Sequence, residues 1–178
     1  MKKRLLIVMK KRLLIVMGAA VIAACGGSDP VSGTIEITGQ DFSFSGVPEV
    51  VASGAELTFT NDSDVEVHEI IVVKIADGET RPIEELAELP EEETESIIEF
   101  QGVLVALPGE DGVNPEAPPG ASITVTEPGR YGIVCFIPQG ADPAVVADAM
   151  AGESEGPPDM GDGTPHAMLG MTAEFEVE

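Results

Sequence analysis

The sequence has no tryptophan, one tyrosine, two histidines and two cysteines in 178 residues. With so few aromatic side chains, aliphatic residues must fill any core. Basic residues are scarce as well: nine Lys and Arg stand against 32 Asp and Glu, and Lys2, Lys3, Arg4, Lys10, Lys11 and Arg12 all precede the first acid. Beyond residue 24 only Lys74, Arg81 and Arg130 remain, which leaves a net charge of −29. A chain this acidic is excluded from binding nucleic acid, whose phosphates need cationic partners. It is soluble and steers basic partners toward itself; adaptation to salt would produce the same composition. A long hydrophobic run is also missing. The stretch from Leu13 to Ala24 falls well short of the ~20 residues a membrane-spanning helix needs.

The first residues carry an address rather than a fold. "MKKRLLIV" is written twice, rich in basic residues and free of acids, and it leads into a short apolar stretch of signal-peptide length. "IAAC" then closes residues 1–24 and resembles the lipobox of a bacterial lipoprotein, which implies that Cys25 is acylated and becomes the mature N-terminus. Ordinary secretion, with Cys25 free or paired with Cys135, is the other reading. A Gly- and Ser-bearing tether over 25–33 suits an anchor, and the several acyl chains of such processing hold a protein far better than one. The expected location is extracytoplasmic, on a bacterial membrane.

The mature length and a hydrophobic fraction of 43% support one globular domain over 34–178. From Thr34 onward, short β-branched runs alternate with Gly, Pro, Asn and Asp. "TIEITG", "DFSFSG", "AELTFTND", "VHEIIVVKI", "ESIIEFQGVLVAL", "ASITVTEPG", "YGIVCFI" and "MTAEFEVE" read as strands, most with period-two alternation. The expectation is an all-β, antiparallel sandwich or barrel. Two segments depart from it. "TRPIEELAELPEEETES" has helical spacing at Ile83, Leu86 and Leu89 and reads as a helical excursion between sheets, its acids around Glu91 to Glu95 forming a solvated face. Gln139 to Pro165 is a long insertion before the last strand, with a short helix expected over Pro143 to Met150 and Gly/Pro-rich text after it.

Four side chains carry chemistry only as a set. His68 alone reads as a half-buried histidine, Cys135 as a small core residue, Met171 as core filling and His166 as a turn residue. Together, two imidazoles, a thiolate and a weak thioether are the ligands of a blue-copper site. "VHEIIV", "GRYGIVCFIP" and "PHAMLGMTAEFEV" place them in an order similar to that of the plastocyanin and azurin family of cupredoxins, over roughly Thr34 to Glu178. The resemblance implies a Greek-key β-sandwich and one mononuclear copper held by His68, Cys135, His166 and Met171, the last three on the connection between the final two strands. In that family the connection is compact, whereas here 30 residues separate Cys135 from His166. The expectation is an excursion that bulges away while its ends stay close, because loop closure costs only ~0.6 kcal/mol per doubling of length.

Three functions compete. The first is a lipid-anchored carrier of single electrons between redox partner proteins, whose docking surfaces would be basic. The second is copper handling by a chaperone or store, suggested by Met150, Met160, Met168 and Met171 around His166, since thioethers favour Cu(I). The third is a metal-free binding module with Cys135 simply buried. An enzyme is not expected: the sequence has no His-x-His repeat, no Ser-His-Asp text with enough histidines and no phosphate-cradling Gly motif.

Overall fold

The computed structural model describes residues 28–117, 120, 122–152 and 158–178. Residues 1–24 and the acylation candidate Cys25 lie outside the described residues. Among those described, no helix is long and apolar enough to cross a membrane.

The chain forms strands β1 Thr34–Gln40, β2 Ser43–Ser45, β3 Val50–Val51, β4 Ala55–Asn61 and β5 His68–Ile75, then helices α1 Ile83–Ala87 and α2 Glu91–Thr94. Strands β6 Ile98–Ala106, β7 Ile123–Val125 and β8 Gly129–Val134 follow, then α3 Pro143–Met150, a 3-10 turn His166–Leu169 and β9 Thr172–Val177. The strands make two sheets, ordered β2-β1-β4-β7 and β3-β9-β8-β5-β6. This is the all-β sandwich that the cupredoxin resemblance implies.

Alternation explains which faces meet. In β1, Ile35 and Ile37 point inward while Thr34 and Glu36 face solvent; in β4, Leu57 and Phe59 do the same. They interdigitate with Ile70, Val72, Leu104 and Ile133 of the opposite sheet. Tyr131 and Phe175 stack within this core, ring centroids 5.3 Å apart, and the Tyr131 hydroxyl donates to the Glu127 carbonyl at 2.9 Å. Burying a phenol requires such a partner.

Three sequence expectations are corrected. The sheets are mixed rather than antiparallel: β1–β4 and β3–β9 pair in parallel. After the β1–β2 pair the chain crosses to the other sheet as β3, and it returns to the first sheet running alongside β1. Strand β3 itself is only two residues long and leaves no periodic trace. The helical excursion is two helices, broken at Leu89–Pro90 because proline lacks the N–H a continuing helix needs. It also connects β5 to β6 within one sheet rather than bridging two. Ile83 and Leu86 are buried against Val73, Ile75 and Val134, which explains why β5 is buried on both faces.

Candidate metal centre

The polar text "NDSD" after β4 organises the approach to His68. Asn61 is fully buried; its Nδ2 donates to the carbonyls of Glu66 at 2.8 Å and Ala106 at 3.1 Å, and its Oδ1 accepts from the Ser63 N–H at 2.9 Å. A buried amide satisfied this fully pins the loop from Asp62 to Val67, and so the start of β5. At the other side of the site, β8 and β9 pair up to Val134 opposite Thr172. Cys135 and Met171 therefore sit side by side just beyond the paired ends, with the Cys135 N–H donating to the Met171 carbonyl at 3.3 Å.

His166 is locked between them. Its N–H donates to the Ile137 carbonyl at 3.0 Å, its carbonyl accepts from the Met171 N–H at 3.0 Å, and the Ala167 N–H donates to the Cys135 carbonyl at 2.7 Å. Gly170, with φ of 102°, reverses the chain between the 3-10 turn and β9 in the left-handed region that glycine tolerates best.

The insertion closes at its neck. The Gln139 N–H donates to the Thr164 carbonyl at 2.9 Å, and Pro138 lies opposite Pro165 in an isolated bridge. Gly163 is required there, because a Cβ would fall on the Gln139 carbonyl oxygen. The 30 intervening residues thus cost the site little in closure entropy. They do not simply bulge away, however. The Asp142 carboxylate caps α3 by accepting from the Ala144 N–H at 2.9 Å, and Val146 and Ala141 are buried with Cys135, Met171, Val67, Val105 and Ile137. Met150 and Met160 pack half-buried on the same cluster. The insertion walls the site because it buries its apolar residues there rather than exposing them.

The structure brings three of the sequence-predicted side chains together. Ligand atoms of His68, Cys135 and His166 all lie within 4.8 Å of one another, and all three residues are buried. The two Nδ1 atoms face each other at 3.1 Å, and the Cys135 sulfur is 3.4 Å from the His166 Nδ1. Met171 is fully buried in the same apolar cluster as Cys135. Sequence reasoning missed Glu66, Glu69, Asn61 and Phe42. The Glu69 N–H points at the Cys135 sulfur at 3.5 Å, while its carboxylate accepts from the Phe136 N–H at 3.0 Å. Phe42, at a φ of 61° rare for a non-glycine residue, sets its ring edge-on to His166 with centroids 5.0 Å apart. Both glutamates flank His68 in "VEVHEI", but among 32 acids neither stands out before distances are known, and Phe42 leaves no signal at all.

A first-row ion held at ~2.0 Å from nitrogen and ~2.3 Å from sulfur separates its ligands by about 3–4 Å, which matches the 3.1 Å between the two Nδ1 atoms and the 3.4 Å from the His166 Nδ1 to the Cys135 sulfur. Two imidazoles and one thiolate select a soft or borderline ion, and the trigonal His2Cys set beside a methionine is the one copper uses. The cluster fits a type 1 copper site. One mononuclear copper accounts for the three converging donors.

Burial governs their protonation without metal. It pushes the Cys135 thiol up to about 12, with the Glu69 carboxylate adding to the effect. It holds the His68 imidazole down to about 4, reinforced by repulsion from His166, and lowers His166 despite the nearby Glu66 carboxylate. Because His68 resists protonation when folded, the unfolded chain binds more protons below about 6.5, so stability falls as pH drops from there toward about 4. The thiol works in the opposite sense: the unfolded chain loses its proton first, above about 9, so stability falls again as pH rises toward about 12. The metal-free protein should therefore be most stable between these limits, losing about 3 kcal/mol through His68 alone by pH 4. Denaturant midpoints measured across pH check this; a flat profile would contradict the buried, neutral imidazoles.

No protein-family model matches the chain, and no curated protein matches it. Among solved structures it is similar to the dithionite-reduced auracyanin of the photosynthetic bacterium Roseiflexus castenholzii, at 17% identity and a TM-score of 0.44, over 84% of this chain and 99% of that one. It is similar to auracyanin A, a "blue" copper protein of the green thermophilic photosynthetic bacterium Chloroflexus aurantiacus, at 20% identity and 0.44, over 84% and 100%. Auracyanin B matches at 16% and 0.41, over 86% and 96%. These likenesses are weak, and the choice of metal stands on the donors themselves.

Proposed function

We propose that this chain is a blue-copper electron carrier, tethered outside the cytoplasm to a bacterial membrane by an acylated Cys25. The observation that carries the proposal is the buried trio of His68, His166 and Cys135, whose ligand atoms all lie within 4.8 Å of one another. Copper bound there would supply a one-electron couple. The chain's own residues do the rest. The two backbone rungs around Cys135 and the 3-10 turn fix the donors before metal arrives, which keeps reorganisation small, and the apolar wall of Val67, Val105, Ile137 and Val146 excludes water. Exposed apolar groups sit next to the ligands in sequence: Phe136 beside Cys135, and Met168 and Leu169 on the turn that carries His166. With the mature charge at −29, we propose redox partners that present a basic docking surface.

Met171→Leu tests the axial role. It conserves volume, so stability should change by less than ~1.5 kcal/mol. The copper-loaded variant should stay coloured while its potential rises by at least ~59 mV, the equivalent of a tenfold change in the ratio of Cu(I) to Cu(II) affinity. An unchanged potential would remove Met171 from the ligand set. For the anchor, Cys25→Ser is expected to move the protein from the membrane fraction to the soluble one and to end labelling by radioactive fatty acid. A wild type already soluble and unlabelled would sink the lipoprotein reading.

One observation favours copper storage or delivery instead. Met150 and Met160 pack against the cluster that holds Cys135 and Met171, and a methionine-rich Cu(I) site would be colourless.

A further inference from the structure

The ligand His166 has a second nitrogen that the metal would not use. Its Nε2 is buried and makes no formed hydrogen bond. One oxygen faces it: Glu66 Oε2, at 3.5 Å, on a side chain only 13% exposed. That same oxygen accepts from the Gly140 N–H at 2.9 Å. Gly140 lies at the neck of the insertion, next to the Gln139 rung. The backbone carbonyl of Glu66 is in turn held by the buried Asn61 amide at 2.8 Å. One carboxylate, itself fixed from behind, thus touches both a donor imidazole and the neck of the segment that walls the site. The His68 Nε2 is equally buried and, among the described residues, has no hydrogen-bond partner.

Two Nδ1 atoms 3.1 Å apart can share only one proton if both rings are neutral. A carboxylate beside the His166 Nε2 favours the proton on that nitrogen, which leaves the His166 Nδ1 as a lone-pair acceptor for the His68 Nδ1–H. The His68 Nε2 is then an unprotonated atom, so its lack of a hydrogen-bond partner strands no donor on that ring. One assignment then covers the four ring nitrogens of the metal-free site, with the His166 Nε2–H directed at Glu66 Oε2 3.5 Å away rather than in a formed hydrogen bond.

We infer that Glu66 is a positioning residue of the metal centre: it fixes His166 as the Nε2–H tautomer, aims its Nδ1 at the metal and fastens the neck of the insertion to the same ring. This rests on the copper reading above. Such carboxylate partners orient a metal-bound imidazole and raise its basicity, and their loss commonly costs 10–100-fold in metal affinity.

The test uses the full chain with Glu66→Gln and Glu66→Ala. Glutamine can still accept from Gly140 but carries no charge. In Glu66→Gln the site should stay coloured, while Cu(II) affinity falls at least ~10-fold relative to Cu(I) and the potential rises by ~59 mV or more. Glu66→Ala should shift in the same direction and further, because the neck is released as well. In the metal-free wild type, nitrogen NMR should show His166 protonated at Nε2, and Glu66→Ala should lose that preference. A wild-type His166 protonated at Nδ1, or a Glu66→Gln potential equal to that of the wild type, would overturn the assignment. A wild type that takes up no copper would sink the copper reading alone, since the tautomer measurement decides the role of Glu66 without metal.

Discussion

Cys135→Ser is expected to abolish the intense visible absorption of the copper-loaded protein while leaving the fold in place. The thiolate is the donor in the charge-transfer transition that makes such sites blue, and Cys135 is the only free cysteine among the described residues. Its share of the core is small. The hydroxyl is buried where a weakly polar thiol was, beside a Glu69 N–H that can still donate to it, so the loss in stability should be ~1–3 kcal/mol. Absorption spectra and thermal melts of both proteins separate the two effects. Colour persisting in the serine variant would mean that Cys135 is core filling and that the metal lies elsewhere.

Replacing residues 141–162 by a short Gly/Ser link should give the next largest change. The neck survives, because Gln139, Gly163 and Thr164 remain, so Cys135 and His166 stay together and one copper per chain is still bound. The wall does not survive. Burial of Val146 and Ala141 is lost, together with the cover from Met150 and Met160, at a cost of about 2–4 kcal/mol. Bound copper should pass to a competing chelator at least ~10-fold faster, the equivalent of ~1.4 kcal/mol. A shortened protein that matches the wild type in both respects would show that α3 is no wall. One that folds but binds no copper would show that Met150 or Met160 supplies a ligand, and copper handling would then displace electron transfer.

The sandwich was legible because alternation is a local signal: Ile35 and Ile37, or Leu57 and Phe59, announce one buried face each. Parallel pairing was not, since whether β4 lies beside β1 or beyond it depends on where the chain crosses between sheets, which no short stretch encodes. The break between α1 and α2 could have been read from Pro90. The three donors were legible because scarcity left so few residues to choose from, whereas the wall formed by the insertion was hidden by its Gly- and Pro-rich second half. Both buried residues precede that half: Val146 on a helix that the sequence did outline, and Ala141 just before its cap, Asp142. Glu66 escaped notice for another reason: in a chain with 32 acids, one more carboxylate two residues before a histidine carries no signal until distances are known.

The most direct test is to titrate the metal-free full chain with Cu(II) and follow the visible spectrum. A type 1 site predicts an intense blue band that grows linearly, stops at one copper per chain and bleaches on reduction. A colourless complex, a band that keeps growing past one equivalent, or no uptake at all would contradict it.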